Sequence, residues 1–193
     1  GYAPEILIFD TPKYTNWTQY FFGGTAKSTN ANLSISGGSI NTNFSVNVGY
    51  RKDGNVFPGD FSAERGSAAV NLHHNSNNRR FFVDFSSLQS IASNNTPGTP
   101  SLLQAFTLPP NYPDLLDPEG NLVWQYKGVN LTNPLSYLER IYQSKNFSIN
   151  GQLQLGYEIA RGLHIKSSMG YSRMQGSERS LTPRASYAPN STT

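Results

Sequence analysis

Few residues in this chain have the type and spacing for covalent chemistry. The histidines stand at positions 73, 74 and 164. His73 and His74 are neighbours on an expected strand, so they point to opposite faces and cannot chelate one ion together. The acidic residues Asp53, Asp60, Asp84, Glu158 and Glu178 are isolated and share no motif. Gly37-Gly38 lacks the Lys-Ser/Thr that completes a phosphate-binding loop, and suits a turn instead. The absence of cysteine removes thiol nucleophiles, disulfides and cysteine-ligated metals. No catalytic residue, metal site or cofactor is therefore expected, and the chain is not expected to be an enzyme.

Aromatic side chains are the stronger signal. Between residues 93 and 143 lie Tyr112, Trp124, Tyr126 and Tyr137 among Pro97, Pro100, Pro109, Pro110, Pro113, Pro118 and Pro134. Such rings offer flat apolar faces with polar edges, which suit sugar rings or a partner protein. The prolines restrict the unfolded chain and lower the entropy lost on ordering. These four aromatics are the candidate substrate- or partner-binding residues. The competing reading is that they pack the loop against itself. Residues 134–142 are expected to hold a short helix, with Asn133 capping and Pro134 in the first turn.

The composition says what must position this loop. The chain has 193 residues, of which only 14% are charged, against about 25% in an ordinary soluble domain. It has 23 Ser, 20 Asn and 13 Thr in their place. Its net charge is +3, and its longest basic run is Arg79-Arg80. No cationic stripe tracks a phosphate backbone, so nucleic acid is not an expected partner. No stretch approaches the roughly 20 apolar residues of a spanning helix.

The dominant pattern has period two. Over 146–159, Phe147, Ile149, Leu153, Leu155, Tyr157 and Ile159 share one face, while Asn146, Ser148, Asn150, Gln152, Gln154 and Glu158 share the other. After Ala160-Arg161-Gly162 the pattern resumes with Leu163, Ile165, Met169 and Tyr171. A hairpin about Arg161 pairs Tyr171 with Gly151 and would lay a ring over bare backbone. Similar alternation runs through Leu33 and Ile35, through Phe44, Val46, Val48 and Tyr50, through Ala68, Val70 and Leu72, and through Phe81, Val83 and Phe85. Phe82 interrupts the last of these. Asn75-Ser76-Asn77-Asn78 is turn chemistry, since Asn tolerates positive φ.

Six antiparallel strands are expected, near 26–37, 42–51, 64–74, 80–92, 144–160 and 162–174. Short turns alternate with long connections, the layout of an outer-membrane barrel. A soluble sandwich also alternates. The polar faces here, however, carry Asn, Ser, Gln and Gly where soluble sheets carry Lys and Glu, and aromatics sit near strand ends as in a membrane girdle. Leu153, Leu155, Ile159, Leu163 and Ile165 are expected to face lipid. Gln152, Gln154, Glu158, His164 and Lys166 are expected to face a lumen. The fold class is all-β, an antiparallel meander of about six long strands forming a segment of a large transmembrane barrel. It divides into a lead-in over 1–25, two hairpins over 26–92, a long extracellular loop over 93–143, a hairpin over 144–174, and a loop or truncated end over 175–193. The alternative is a soluble or surface-exposed β-rich binding or adhesion module.

Particular words then stand out in order. Asn32-Leu-Ser-Ile-Ser-Gly-Gly-Ser39 is followed by Thr42-Asn43-Phe44, Val48-Gly49-Tyr50 and Asp53-Gly54. Leu108-Pro-Pro-Asn-Tyr-Pro113, Gly120-Asn121-Leu122, Asn133-Pro134-Leu135, Gly170-Tyr171 and Glu178-Arg179-Ser180 come after. Over about residues 12–185 the chain resembles the early barrel of SusC/RagA-type TonB-dependent transporters. Asn16-Trp17 stands where those proteins often have Asp-Trp. The resemblance implies a plugged barrel in the bacterial outer membrane that imports glycans or peptides. It also implies a SusD-like surface lipoprotein as lid, membrane lipid around the wall, and coupling to TonB through a plug region that these residues lack.

Overall fold

The computed structural model describes residues 3–98, 102–189 and 191. Pro100 of the loop's proline series, and the Gly1-Tyr2 and Thr192-Thr193 ends, lie outside them. The chain opens with helix α1 (Pro4–Leu7) and helix α2 (Trp17–Phe22). Strands β1 (Ser28–Gly38), β2 (Thr42–Gly54), β3 (Ser62–Asn75) and β4 (Phe81–Pro97) follow. Helix α3 (Leu102–Thr107), a two-stranded ribbon of β5 (Gln125–Tyr126) and β6 (Val129–Asn130), and helix α4 (Ser136–Glu139) come next. Strands β7 (Ile141–Ala160) and β8 (Leu163–Leu181) and a 3₁₀ turn at Arg184–Ser186 complete it.

Six strands form one sheet in the order β1-β2-β3-β4-β7-β8, every neighbouring pair antiparallel. This is the expected meander. Five of the six strands are longer than the alternation alone predicts. β4 continues to Pro97, β7 begins at Ile141 and β8 runs to Leu181. The expected boundaries at 93–143 and 175 are therefore corrected to a connection over 98–140 and a strand that ends at 181. The helix expected over 134–142 is shortened at both ends to Ser136–Glu139; its N-cap is Leu135, not Asn133, and no side chain caps it. The reason is common to all three strands. A backbone ladder needs no apolar side chain, so Asn94, Asn95 and Thr96 pair with Ser144, Gln143 and Tyr142 beyond the end of the apolar stretch.

The turns at one end are tight. Between β1 and β2, the Ser39 hydroxyl oxygen accepts from the Asn41 and Thr42 amides. Between β3 and β4 the residue with positive φ is Arg79, not an asparagine. Asn78 acts instead through its side-chain oxygen, which accepts from the Arg80 amide and the Ser76 hydroxyl. Between β7 and β8, Gly162 takes φ +82°, which an L side chain adopts only with strain.

Register places the side chains in two continuous faces. On the apolar face one row reads Ile35, Val46, Val70, Ser87, Gly151, Tyr171. The next row toward the short turns reads Gly37, Phe44, Leu72, Phe85, Leu153, Met169. Phe81, Tyr157 and Ile165 form another row nearer the turns. Ile159 falls in an irregularity where Glu158 and Ala160 pair with His164 and Leu163.

The apolar stretch runs obliquely across these rows. It is centred on Leu33 in β1, and the row through Leu33 reaches β8 at Arg173. The apolar residues of β8, Leu163 to Tyr171, are centred on Ser167. From 173 back to 167 is six residues, about 20 Å, gained over five inter-strand spacings totalling about 24 Å. The slope is about 40°, within the strand tilt of roughly 35–45° in a transmembrane barrel.

Two close contacts fix local packing. The Phe82 ring, which breaks the sequence alternation, lies over Gly156 on the polar face, where an added Cβ would meet Phe82 Cε1 at 1.9 Å. Phe44 covers Gly37 in the same way, at 3.0 Å. Tyr171 does pair with Gly151, but the nearest atom to a Cβ at Gly151 is the Ser86 carbonyl oxygen at 3.9 Å, so Tyr171 does not cover that glycine. Replacing Gly156 by Ala should destabilise the assembled barrel by about 1–3 kcal/mol through overpacking. The same change in a Phe82→Ala background should cost far less. Equal losses in the two backgrounds, measured by urea unfolding, would refute the contact.

Candidate functional site: a polar wall and an outer aromatic unit

The sheet has one polar face and one apolar face. Asn32, Ser34, Asn47, Asn71, Ser86, Asn150, Gln152, Gln154, Ser168 and Ser172 lie on the polar face. Hydroxyls and amides bond across strands there: Ser34 Oγ donates to Asn47 Oδ1 at 2.6 Å, Ser172 Oγ to Asn150 Oδ1 at 2.7 Å, and Asn71 Nδ2 to Ser45 Oγ at 3.2 Å. The histidines separate as expected. His73 joins Asp84 and Asn75 on the polar face, while His74 Nδ1 lies 2.7 Å from Thr42 Oγ1 on the other. Grooves of about 460, 590, 250 and 200 Å³ open on the sheet, each lined mainly by polar-face residues. These grooves thus gather on the polar side of the sheet.

The buried apolar core lies away from the sheet. Phe9, Trp17, Phe21, Tyr112, Leu115, Leu131 and Leu135 pack together. Phe9, Trp17 and Phe21 come from the segment expected to be a mere lead-in; the rest come from the long connection. The two segments form one folded unit. Trp17 Nε1 donates to the Pro109 carbonyl at 2.9 Å, and the Thr15 amide to the Pro110 carbonyl at 2.8 Å. Asn16 caps α2, its side-chain oxygen accepting from the Gln19 amide at 3.0 Å. That cap was the one legible signal that residues 16–22 are structured. Asn133 is fully buried, with Nδ2 donating to the carbonyls of Leu115 and Val123 and Oδ1 accepting from the Leu135 amide. It ties three stretches of the connection together.

The four candidate aromatics divide. Tyr112 is 8% exposed, and its hydroxyl both donates to the Thr132 carbonyl and accepts from the Thr132 amide. Burial raises its pKa. Its expected role as contact surface is therefore corrected: it is a core residue, because its ring fills the space between Phe9 and Trp17. Trp124 is half-buried beside the ribbon, its carbonyl accepting from the Leu131 amide. The ribbon turns at Lys127 and Gly128, both at positive φ, the geometry of a tight two-residue hairpin. Tyr126 is half-buried, edge-on to Phe9, and its hydroxyl donates to Asp10 Oδ2 at 2.8 Å. Tyr137 is half-buried beneath the Arg140 guanidinium, which also stacks on Tyr187.

Asp10 latches the lead-in to the ribbon. The hydrogen bond from Lys127 Nζ, and then that from Tyr126, lower its pKa below the ordinary 3.8. A depressed carboxylate contributes stability that is present above its unfolded pKa and is lost as pH falls through the folded one. The latch should thus hold at neutral pH and weaken only below about pH 4. Amide exchange of residues 3–13 followed against pH checks this. Loosening already near pH 6 would contradict it.

No protein-family model matches the sequence, and no curated protein matches it. Among solved structures, a chain of the RagAB peptide importer in its closed-closed state is similar, at 21% identity and a TM-score of 0.65. The match covers 89% of this chain and 20% of that one. At that identity the likeness establishes architecture alone: this chain folds like a segment, about a fifth, of that importer chain.

Proposed function

We propose that the chain is a wall segment of a TonB-dependent transporter in a bacterial outer membrane. The carrying observation is the pairing of a grooved polar face with an opposite apolar face whose apolar stretch slopes at about 40°. The apolar face lies against lipid and the polar face lines the lumen. The short turns point to the periplasm, and the unit built from residues 3–24 and 102–140 stands outside the cell. The wall's neutral amides and hydroxyls suit a polar, largely uncharged solute, so glycans or peptides are the substrate class. A SusD-like lipoprotein closes the outer side, and TonB acts through a plug beyond these residues. Trp124, Tyr126 and Tyr137 keep ring surface at the rim for substrate or lid. The segment has no catalytic role and needs no cofactor.

This chain has no cysteine, so single cysteines introduced into it, with any elsewhere in the transporter replaced, give a clean test. Single cysteines at 152, 153, 154 and 155 are placed in the assembled transporter in vesicles and reacted with a water-soluble maleimide. Positions 152 and 154 should react, and 153 and 155 should not. Uniform reaction at all four in a soluble, detergent-free protein would establish the adhesion-module reading instead. Uptake of a labelled peptide mixture by Trp124→Ala and Tyr137→Ala variants, which spare the core, tests the outer unit's role.

A further inference from the structure

Where the apolar stretch ends on the loop side, the outward face repeats one motif. In β2, Tyr50 is followed on the same face by Lys52; in β7, Phe147 by Lys145; in β8, Tyr171 by Arg173. In each strand the cation stands one outward step, about 6.6 Å, beyond the ring. Rings of this kind settle at the headgroup level of a bilayer. The cations therefore lie at the height of lipid phosphates on the outer surface.

The three are not equivalent. Lys52 is paired with Glu64 at 2.8 Å and so is neutralised. Lys145 and Arg173 are exposed and have no acidic partner among the described residues. Arg173 Nη2 instead donates to Gln175 Oε1 at 2.9 Å, which orients the guanidinium and leaves its other donors open. Strand spacing places Lys145 and Arg173 about 14 Å apart. Ser177, directly paired with Lys145, and Gln175, paired with Phe147, lie between them on that face.

The geometry points to a binding site on this outward face for a phosphorylated glycolipid of the outer leaflet. Lys145 and Arg173 take its phosphate groups, and Gln175 and Ser177 take its sugar hydroxyls. Charge-assisted bonds to phosphate are the strong class of such contacts, and Arg suits them by its fork of donors. Such a lipid would hold this part of the wall against the leaflet beneath the outer unit. The inference rests on the membrane reading above.

The test uses the assembled transporter in mild detergent. It is mixed in turn with a bisphosphorylated glycolipid, its dephosphorylated form and a zwitterionic phospholipid, and bound lipid is counted by native mass spectrometry. The wild type should retain the bisphosphorylated form preferentially. Lys145→Gln with Arg173→Gln should reduce that retention about tenfold or more. Arg173→Lys should keep most of it, and Lys166→Gln on the polar face should change nothing. Unchanged retention in the double variant, or equal retention of the dephosphorylated lipid, overturns the site while leaving the membrane reading intact. A wild type that holds no lipid of any kind and stays monodisperse without detergent overturns both. If the double variant fails to assemble, the single Lys145→Gln and Arg173→Gln variants carry the same comparison.

Discussion

Replacing Leu155 by Arg is expected to destabilise the assembled barrel by about 2–4 kcal/mol, the cost of a charge on the lipid face near the bilayer midplane. Gln154→Arg, one residue away, is expected to cost far less. Leu155 sits in the row Thr42, His74, Val83, Leu155, Ser167. With the oblique slope taken into account, that row crosses the middle of the apolar stretch in β7 and β8. Gln154 lies on the polar side beside Asp84 and Ser168, where water can follow an introduced guanidinium. The measurement is urea-dependent folding into lipid vesicles. Similar losses for the two variants would sink the facing, and with it the proposed place of this sheet in a membrane. Cost should also fall with height. Arg at Phe147 should be milder than at Leu155, because the ring already stands where headgroups begin.

Trp17→Ala should cost the outer unit about 3–5 kcal/mol, the usual range for removing a large buried aromatic. Trp17 is 5% exposed. It stands edge-on to Tyr112, with ring centroids 6.3 Å apart, and its indole nitrogen is bonded to the Pro109 carbonyl. Truncation removes the packing and orphans that carbonyl. Protection from protease and amide exchange should fall together in 3–24 and 102–140, while the strands β1–β4, β7 and β8 keep theirs. If only 3–24 loosens, the two segments do not form one cooperative unit. The contrast with a deletion is useful. Removing residues 99–130 takes out Tyr112 and Leu115 and exposes the lead-in's apolar side, so lost uptake there would mix a missing contact surface with a collapsed core. Changing Tyr137 or Trp124, which are only half-buried, separates the two.

The six strands and their meander were legible in the sequence, and so was the sorting of Leu153 and Leu155 from Gln152 and Gln154. Side chains alternate strictly along a strand, so period two is a local property that no distant contact needs to supply. Strand ends were less legible. Asn94 to Thr96 and Gln143 read as loop because they are polar, yet they extend the ladder, since pairing depends on backbone groups. Phe82 looked like a fault in the pattern and proved to cover Gly156, a partner 74 residues away in the chain.

The candidate site was read less well, for a different reason. The aromatic content of the long connection was visible, but a ring's type is the same whether it binds a ligand or fills a core. Only the meeting of Phe9, Trp17 and Phe21 with Tyr112, Leu115, Leu131 and Leu135 assigns Tyr112 to packing, and those contacts span roughly 100 residues with no periodic trace. The same holds for the slope of the apolar stretch. By itself the sequence determined which residues share a face, because that follows from the pleat of each strand. The tertiary structure alone decided that the apolar stretch climbs across the sheet. That depends on inter-strand register, which arises from pairing between strands and is written in none of them singly.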